Sequence, residues 1–229
     1  ILVTIGLLTI VMAWLGSGVK LSYNNQRMLP ADDPTVVQYD EFKKRFGEDG
    51  SVFVIGVTNP DMFKVDEFNA WYDLTFDMMK IDGVEGVTSI AKAVNIVKND
   101  SLRQYDFLPL VPQKPRNQAE ADSLKNKILS LKFYEGLLHN PKTQTYLLAV
   151  TLNQQKLNDK GRLLVVDNIV ARANAYAGKT GHQLHFSGLP YIRTVMARKI
   201  QNELFLFVFL SILIAAIILF MFFRSIKVV

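Results

Sequence analysis

The sequence has no cysteine and only three histidines, His139, His182 and His185. The first absence excludes disulfide bonds and thiolate metal sites, and the second leaves little for an imidazole-based centre. Charge is missing from two stretches, Ile1–Val19 and Leu204–Phe223, although 21% of the 229 residues are charged. At 1.5 Å per residue each stretch reaches about 28–30 Å as a helix, the thickness of a hydrocarbon core. A strong basic excess is lacking too. Lys20–Glu203 holds all 21 acidic residues and, with only Arg224 and Lys227 outside it, 24 of the 26 basic ones, a balance of +3. Such a balance describes a solvated mixed-charge surface and leaves no nucleic-acid footprint.

The first run opens on Ile1, with no starting Met and no basic residue before it, and has more length than the ~7–15-residue apolar core of a signal peptide. It therefore reads as a transmembrane helix met part-way. The second run is followed by Arg224-Ser225-Ile226-Lys227-Val228-Val229, which reads as a short cytoplasmic turn entering a third span. Arg198 and Lys199 before that run balance Arg224 and Lys227 after it, so charge counting does not orient the chain. The expected organisation is a transmembrane helix at 1–19, an extracytoplasmic domain at 20–189, a stalk helix at 190–203, a second transmembrane helix at 204–223 and a turn at 224–229.

Within the domain, Asp33 is placed to cap a helix starting at Pro34, with Val36, Tyr39, Phe42 and Phe46 at helical spacing and Gly47 at its stop. Ser51–Thr58 is a nearly unbroken apolar run, as in a strand buried on both faces. A helix from Asp66 carries Phe68, Trp71, Tyr72, Met78 and Met79 on one face. Gly83 ends it, and Val84–Ile90 reads as a strand. Thr145–Leu152, a helix over Lys160–Ala177 with Leu163, Val166, Ile169, Val170 and Ala173 inward, and Gln183–Ser187 repeat the unit. Two strand–helix–strand units predict an α+β domain of ferredoxin-like type. An inserted segment, 97–141, separates them. Pro109, Pro112 and Pro115 give Phe107–Arg116 an extended or polyproline character, and a helix with Leu124, Ile128, Leu131 and Leu138 on one face follows. From Pro190 a helix runs without a break into the second apolar run.

Motifs for chemistry fail on inspection. Gly178-Lys179-Thr180 resembles the end of a phosphate-binding loop, but Ala173 stands where the leading glycine belongs, and the segment ends a helix instead of opening one. His182 and His185 fall on opposite faces of the expected strand. Ser187 lacks the flanking glycines of a nucleophile elbow, with His185 and Leu189 in their places. Asn99-Asp100-Ser101 is a glycosylation sequon of a kind that occurs by chance. Asp32–Asp33 and Glu48–Asp49 read as capping or loop charges. No catalytic, cofactor-binding or metal site emerges, and the chain is not expected to be an enzyme.

Several short motifs recur in a familiar order: Leu29-Pro30-Ala31-Asp32-Asp33-Pro34, then Tyr39, Phe42 and Phe46-Gly47, then Gly83-Val84-Glu85-Gly86-Val87 with Ser89-Ile90. Leu157-Asn158-Asp159, Ser187-Gly188-Leu189-Pro190 and Phe223-Arg224-Ser225 complete the series. Over essentially its whole length the chain resembles the RND superfamily of proton-driven transporters, most of all its MMPL or hydrophobe-exporter, Patched-like branch. It departs from many relatives in carrying Ser22-Tyr23-Asn24-Asn25 where they have an acidic residue. The resemblance implies a periplasmic porter domain on a bacterial inner membrane, with lipids or other hydrophobic molecules as substrate. It implies proton coupling by acidic residues of later spans, since neither charge-free run holds an ionisable residue. The implied partners are the bilayer, the remaining transmembrane helices and a second porter domain of the same chain, with self-association into a homo-oligomer compatible with all of these. Asp33 and Pro34, and Gly188 and Pro190, are the residues expected to matter structurally. The alternatives are a ligand-sensing domain of a two-span signalling receptor, against which the short tail argues, and an extracytoplasmic domain of an ATP-driven permease or lipoprotein-release complex.

Overall fold

The computed structural model describes residues 2–17, 30, 32–46, 49–99, 103–153 and 159–223. The chain divides into two units, Ile1–Gly47 and Glu48–Val229. The first holds two described helices. Helix α1 (Leu2–Ser17) covers most of the first charge-free run, whose positions 1, 18 and 19 lie outside the described residues. Its Leu7, Leu8, Met12 and Trp14 are more than half exposed. Helix α2 (Pro34–Phe46) starts where the sequence puts it. Asp33 Oδ1 accepts the Thr35 amide at 2.8 Å and the Asp33 carbonyl accepts the amides of Val36 and Val37, so Asp33 is the cap and Pro34 fills the first turn. The expected stop at Gly47 lies outside the described residues.

The second unit is an α+β domain. Strand β1 (Val52–Thr58), helix α3 (Val65–Met79) and strand β2 (Val84–Thr88) make the first strand–helix–strand unit. The hairpin β3 (Val94–Asn99) and β4 (Gln104–Pro109), helix α4 (Gln118–Ser130) and the short strand β5 (His139–Asn140) follow. Strand β6 (Thr145–Leu152), helix α5 (Asp159–Thr180) and strand β7 (Leu184–Ser187) make the second unit, and helix α6 (Leu189–Phe223) leaves it. The main sheet is antiparallel, in the order β2-β6-β1-β7, with β5 alongside the start of β6. Each unit is thus split by a strand of the other, since β6 lies between β1 and β2 and β1 lies between β6 and β7.

Both central strands differ from the sequence expectation in one respect. Phe53, Ile55 and Val57 of β1 and Tyr146, Leu148, Val150 and Leu152 of β6 are buried, but Val54, Leu147 and Ala149 on the other face are only half-buried. In an antiparallel sheet whose helices cover one face, alternation decides burial, and the apolar runs conceal it. The covered face packs against Phe68, Trp71 and Met78 of α3 and Val166, Ile169 and Ala173 of α5. Met79, expected on that face, is 41% exposed as the helix ends.

The insertion also differs from its expected form. Its boundary at Val97 cuts through β3, and Phe107–Pro109 belong to β4, so the first part of the expected polyproline stretch is a paired strand. Helix α4 stops at Ser130. Leu131 and Leu138 reach the core from a following 3-10 turn, Lys132–Tyr134, and the loop after it, instead of from one helix face. Strand β2 ends at Thr88, because Ser89 turns to accept the Ala91 amide on its own hydroxyl and caps the next turn.

Helix α6 is continuous for 35 residues, about 52 Å at 1.5 Å per residue. It starts directly after Gly188, whose φ of +104° is costly for any residue with a side chain. A Cβ there would lie 2.2 Å from the Val52 carbonyl oxygen, so the chain passes directly over the start of β1. Gly188→Ala is expected to destabilise the domain by at least about 3 kcal/mol through left-handed strain and backbone collision. Gly178→Ala in α5, where a Cβ meets nothing within 4 Å, is expected to stabilise by up to about 1 kcal/mol. Denaturant unfolding of the two variants checks the contrast, which fails if both shift stability alike.

Candidate functional site

Two ends of the main sheet carry the organised side chains. At one end β1 starts and β7 stops, and the first turns of α6 are fastened there. Phe53, Phe186 and Tyr191 form a ring cluster with centroid separations of 5.5–5.9 Å. Pro190 and Thr194 are buried, and Arg198 makes a two-pronged ion pair with Asp167 of α5. Helix α6 is therefore gripped by the domain through its first three turns. Beyond Glu203 it has no charged residue, and the described side chains there are nearly all exposed. Among the described residues, Leu189–Phe222 is the helix long and apolar enough to cross a membrane.

At the opposite end, about 20 Å away along β1, lies a polar clamp. Asn59, fully buried, donates from Nδ2 to Glu67 Oε2 at 2.9 Å and accepts the Asp61 amide on Oδ1. His182 Nε2 stands 2.9 Å from the same Glu67 oxygen. The clamp joins the end of β1, the first turn of α3 and the turn entering β7. Beneath it Tyr176 is buried edge-on against Trp71, at 5.6 Å between centroids, and burial, with the Glu67 charge beside it, raises its hydroxyl pKa. No sequence signal pairs Glu67 with His182, because contacts between residues so far apart in the chain leave no spacing pattern.

The residues weighed from sequence stay apart. Gly178-Lys179-Thr180 closes α5, where the Thr180 hydroxyl bonds back to the Tyr176 carbonyl and Gly181, at φ +74°, donates to Ala177. His182 precedes β7, so face alternation does not apply to it. His185 is exposed opposite Gly56, and Ser187 is exposed opposite Val54. Asn99 ends β3, while Asp100 and Ser101 lie outside the described residues, as does Glu48. Among the described residues no group of three or more His, Asp or Glu could hold a metal ion. A cleft of about 370 Å³ lies along the turn Lys80–Val84 against Asn153, and its charged and main-chain walls suit water better than a hydrophobic molecule.

His139 is buried beside the insertion, with Nδ1 3.3 Å from the Tyr134 carbonyl. Burial lowers its pKa below the ordinary 6.5, against a weaker opposite pull from Glu135. Below pH 6.5 the unfolded chain takes up a proton that the folded domain resists, so stability falls as pH drops through and below that value. His139→Gln is expected to flatten the stability profile between about pH 7 and 5. Unfolding midpoints across that range check this, and parallel profiles for the two proteins refute it.

No protein-family model matches the chain, and no curated protein matches it.

Proposed function

We propose that the chain is the first periplasmic porter domain, with its two flanking spans, of a proton-driven RND or MMPL-type exporter of lipids or other amphiphiles in a bacterial inner membrane. The observation that carries this reading is α6, a single unbroken helix that is gripped by the domain at Tyr191, Thr194 and Arg198 and becomes charge-free after Glu203. Such a helix passes displacement between domain and membrane, because a helix bends gently unless a proline or similar break interrupts it. Pro190, in the first turn, leaves it intact. The split strand–helix–strand units support a ferredoxin-like porter domain, and Leu2–Ser17 supplies most of the other flanking span. Neither charge-free run holds an ionisable residue, so proton coupling is assigned to other spans of the same transporter.

The absence of cysteine makes topology directly testable. Phe133→Cys, at a side chain 71% exposed, is expected to react in intact spheroplasts with a maleimide that cannot cross the membrane. Loss of the gene is expected to reduce efflux of a lipophilic dye, with the difference removed by a protonophore. Three glycines inserted between Glu203 and Leu204 are expected to abolish that efflux while the domain keeps its unfolding midpoint. Unchanged efflux on gene loss, with a signalling output altered instead, would favour the two-span receptor and sink the transporter reading.

A further inference from the structure

Of the three histidines only His139 is buried, at 4% exposure; His182 is half-buried and His185 is exposed. His139 ends the turn Tyr134–His139. There the Tyr134 carbonyl accepts the Leu138 amide at 2.9 Å, and the His139 carbonyl accepts the Gly136 amide at 2.8 Å. The imidazole closes back on the turn, with Nδ1 3.3 Å from the same Tyr134 carbonyl. A carbonyl can only accept, so Nδ1 carries the ring hydrogen and Nε2 is left to take up a second proton. The far end of the Tyr134 side chain holds the β3–β4 hairpin, a two-stranded ribbon outside the main sheet. At the ribbon's base the Leu110 amide donates to the Ala93 carbonyl at 2.9 Å. Antiparallel strands alternate hydrogen-bonded and non-bonded pairs, so the next pair, Val94–Pro109, turns its backbone groups outward. Pro109, without an N–H, loses nothing at an outward position. The outward N–H and C=O of Val94 both go to the Tyr134 hydroxyl, at 3.0 and 2.7 Å. One residue therefore meets His139 through its carbonyl and the ribbon through its hydroxyl. A two-stranded ribbon alone is marginal in water, so it depends on this fastening.

We propose that His139 is a proton-operated latch: a second proton, added at Nε2 from water, drives the ring out of its buried site, opens the turn Tyr134–His139 and frees the base of the β3–β4 ribbon. The driving force is the cost of burying an imidazolium. Inside the core the ring resists a proton, because burial lowers its pKa, whereas in water it takes one near the ordinary 6.5. As pH falls below that value the open turn binds a proton that the closed turn excludes, so opening grows. The charges around the ring do not cancel the cost. Glu135 in the same turn favours the imidazolium, but less than burial opposes it. Lys132 and Lys142, in the flanking turns, are cations and offer it no partner. Tyr146, opposite on β6, is kept neutral by burial. Beyond Tyr146, Phe63 leads to Asp61 and Lys64, which pair with each other at 2.8 Å. The latch is a property of the insertion and holds whether or not the chain belongs to a transporter.

Residue-resolved hydrogen exchange of the full chain in lipid nanodiscs, from about pH 7.5 to 5, tests this once protection is corrected for the intrinsic pH dependence of exchange. Protection of the Val94 amide is expected to fall by up to about ten-fold for each pH unit below about 6.5, while the β1 and β6 amides of the main sheet fall less. His139→Gln is expected to keep Val94 protected and to remove the slope. Tyr134→Phe leaves the histidine in place and deletes only the hydroxyl. It is expected to strip Val94 of protection already at neutral pH, with no further change on acidification. Val94 protection that ignores pH, or that falls in step with the main-sheet amides as global unfolding demands, overturns the proposal. So does a slope that persists in either variant.

Discussion

The passage of the backbone at Gly188 over the Val52 carbonyl is the constraint on which the rest of the second unit depends. A hydrogen in place of Cβ lets β7 end against the start of β1 and lets α6 begin at once. Any side chain there would push the helix off the sheet. With the approach made, Tyr191 meets Phe53 and Phe186, Thr194 becomes buried, and Arg198 comes level with Asp167. The Arg198 pair is half-exposed and worth less than about 1 kcal/mol by itself. Its role is geometric, fixing the rotation of a helix already held by aromatic packing.

The sheet serves that junction. Its interleaved order puts β1, the strand under Gly188, at a paired central position, hydrogen-bonded to β6 on one side and β7 on the other. A strand held on both sides is a stiff base for a lever. The clamp of Asn59, Glu67 and His182 performs the corresponding task at the far end, tying the exit of β1 to the entry of β7. The four-residue β7 is therefore held at both ends, by a polar cluster and by a close backbone contact. Displacement of α6 would reach the sheet as a rigid movement and not as local fraying.

The insertion obeys different physics. Its base is well fastened, with Tyr134 bonded to Val94 and Leu138 and Val111 in the core. Its ribbon, in contrast, exposes Ile96, Tyr105 and Phe107. An ordered base under an uncovered apolar ribbon is the arrangement of a surface that completes itself against something else.

The sequence by itself determined whatever depends on neighbours in the chain. Helix spacing located α3 and α5, the Asp33-Pro34 pair located the start of α2, and the charge-free run located the apolar part of α6. Two strand–helix–strand patterns were enough for the α+β class. The tertiary structure decided the rest, because those features arise from strand pairing. Unbroken apolar runs in β1 and β6 suggested burial on both faces, and only the placement of α3 and α5 on one side showed alternation. Three prolines suggested an extended linker, and only the cross-strand register showed that Pro109 occupies an outward position where a missing N–H is harmless. Gly188 could be singled out as a turn residue from Ser187-Gly188-Leu189-Pro190. That its lack of a side chain is required by the carbonyl of Val52, far away in the sequence, is a fact about two strands meeting in space.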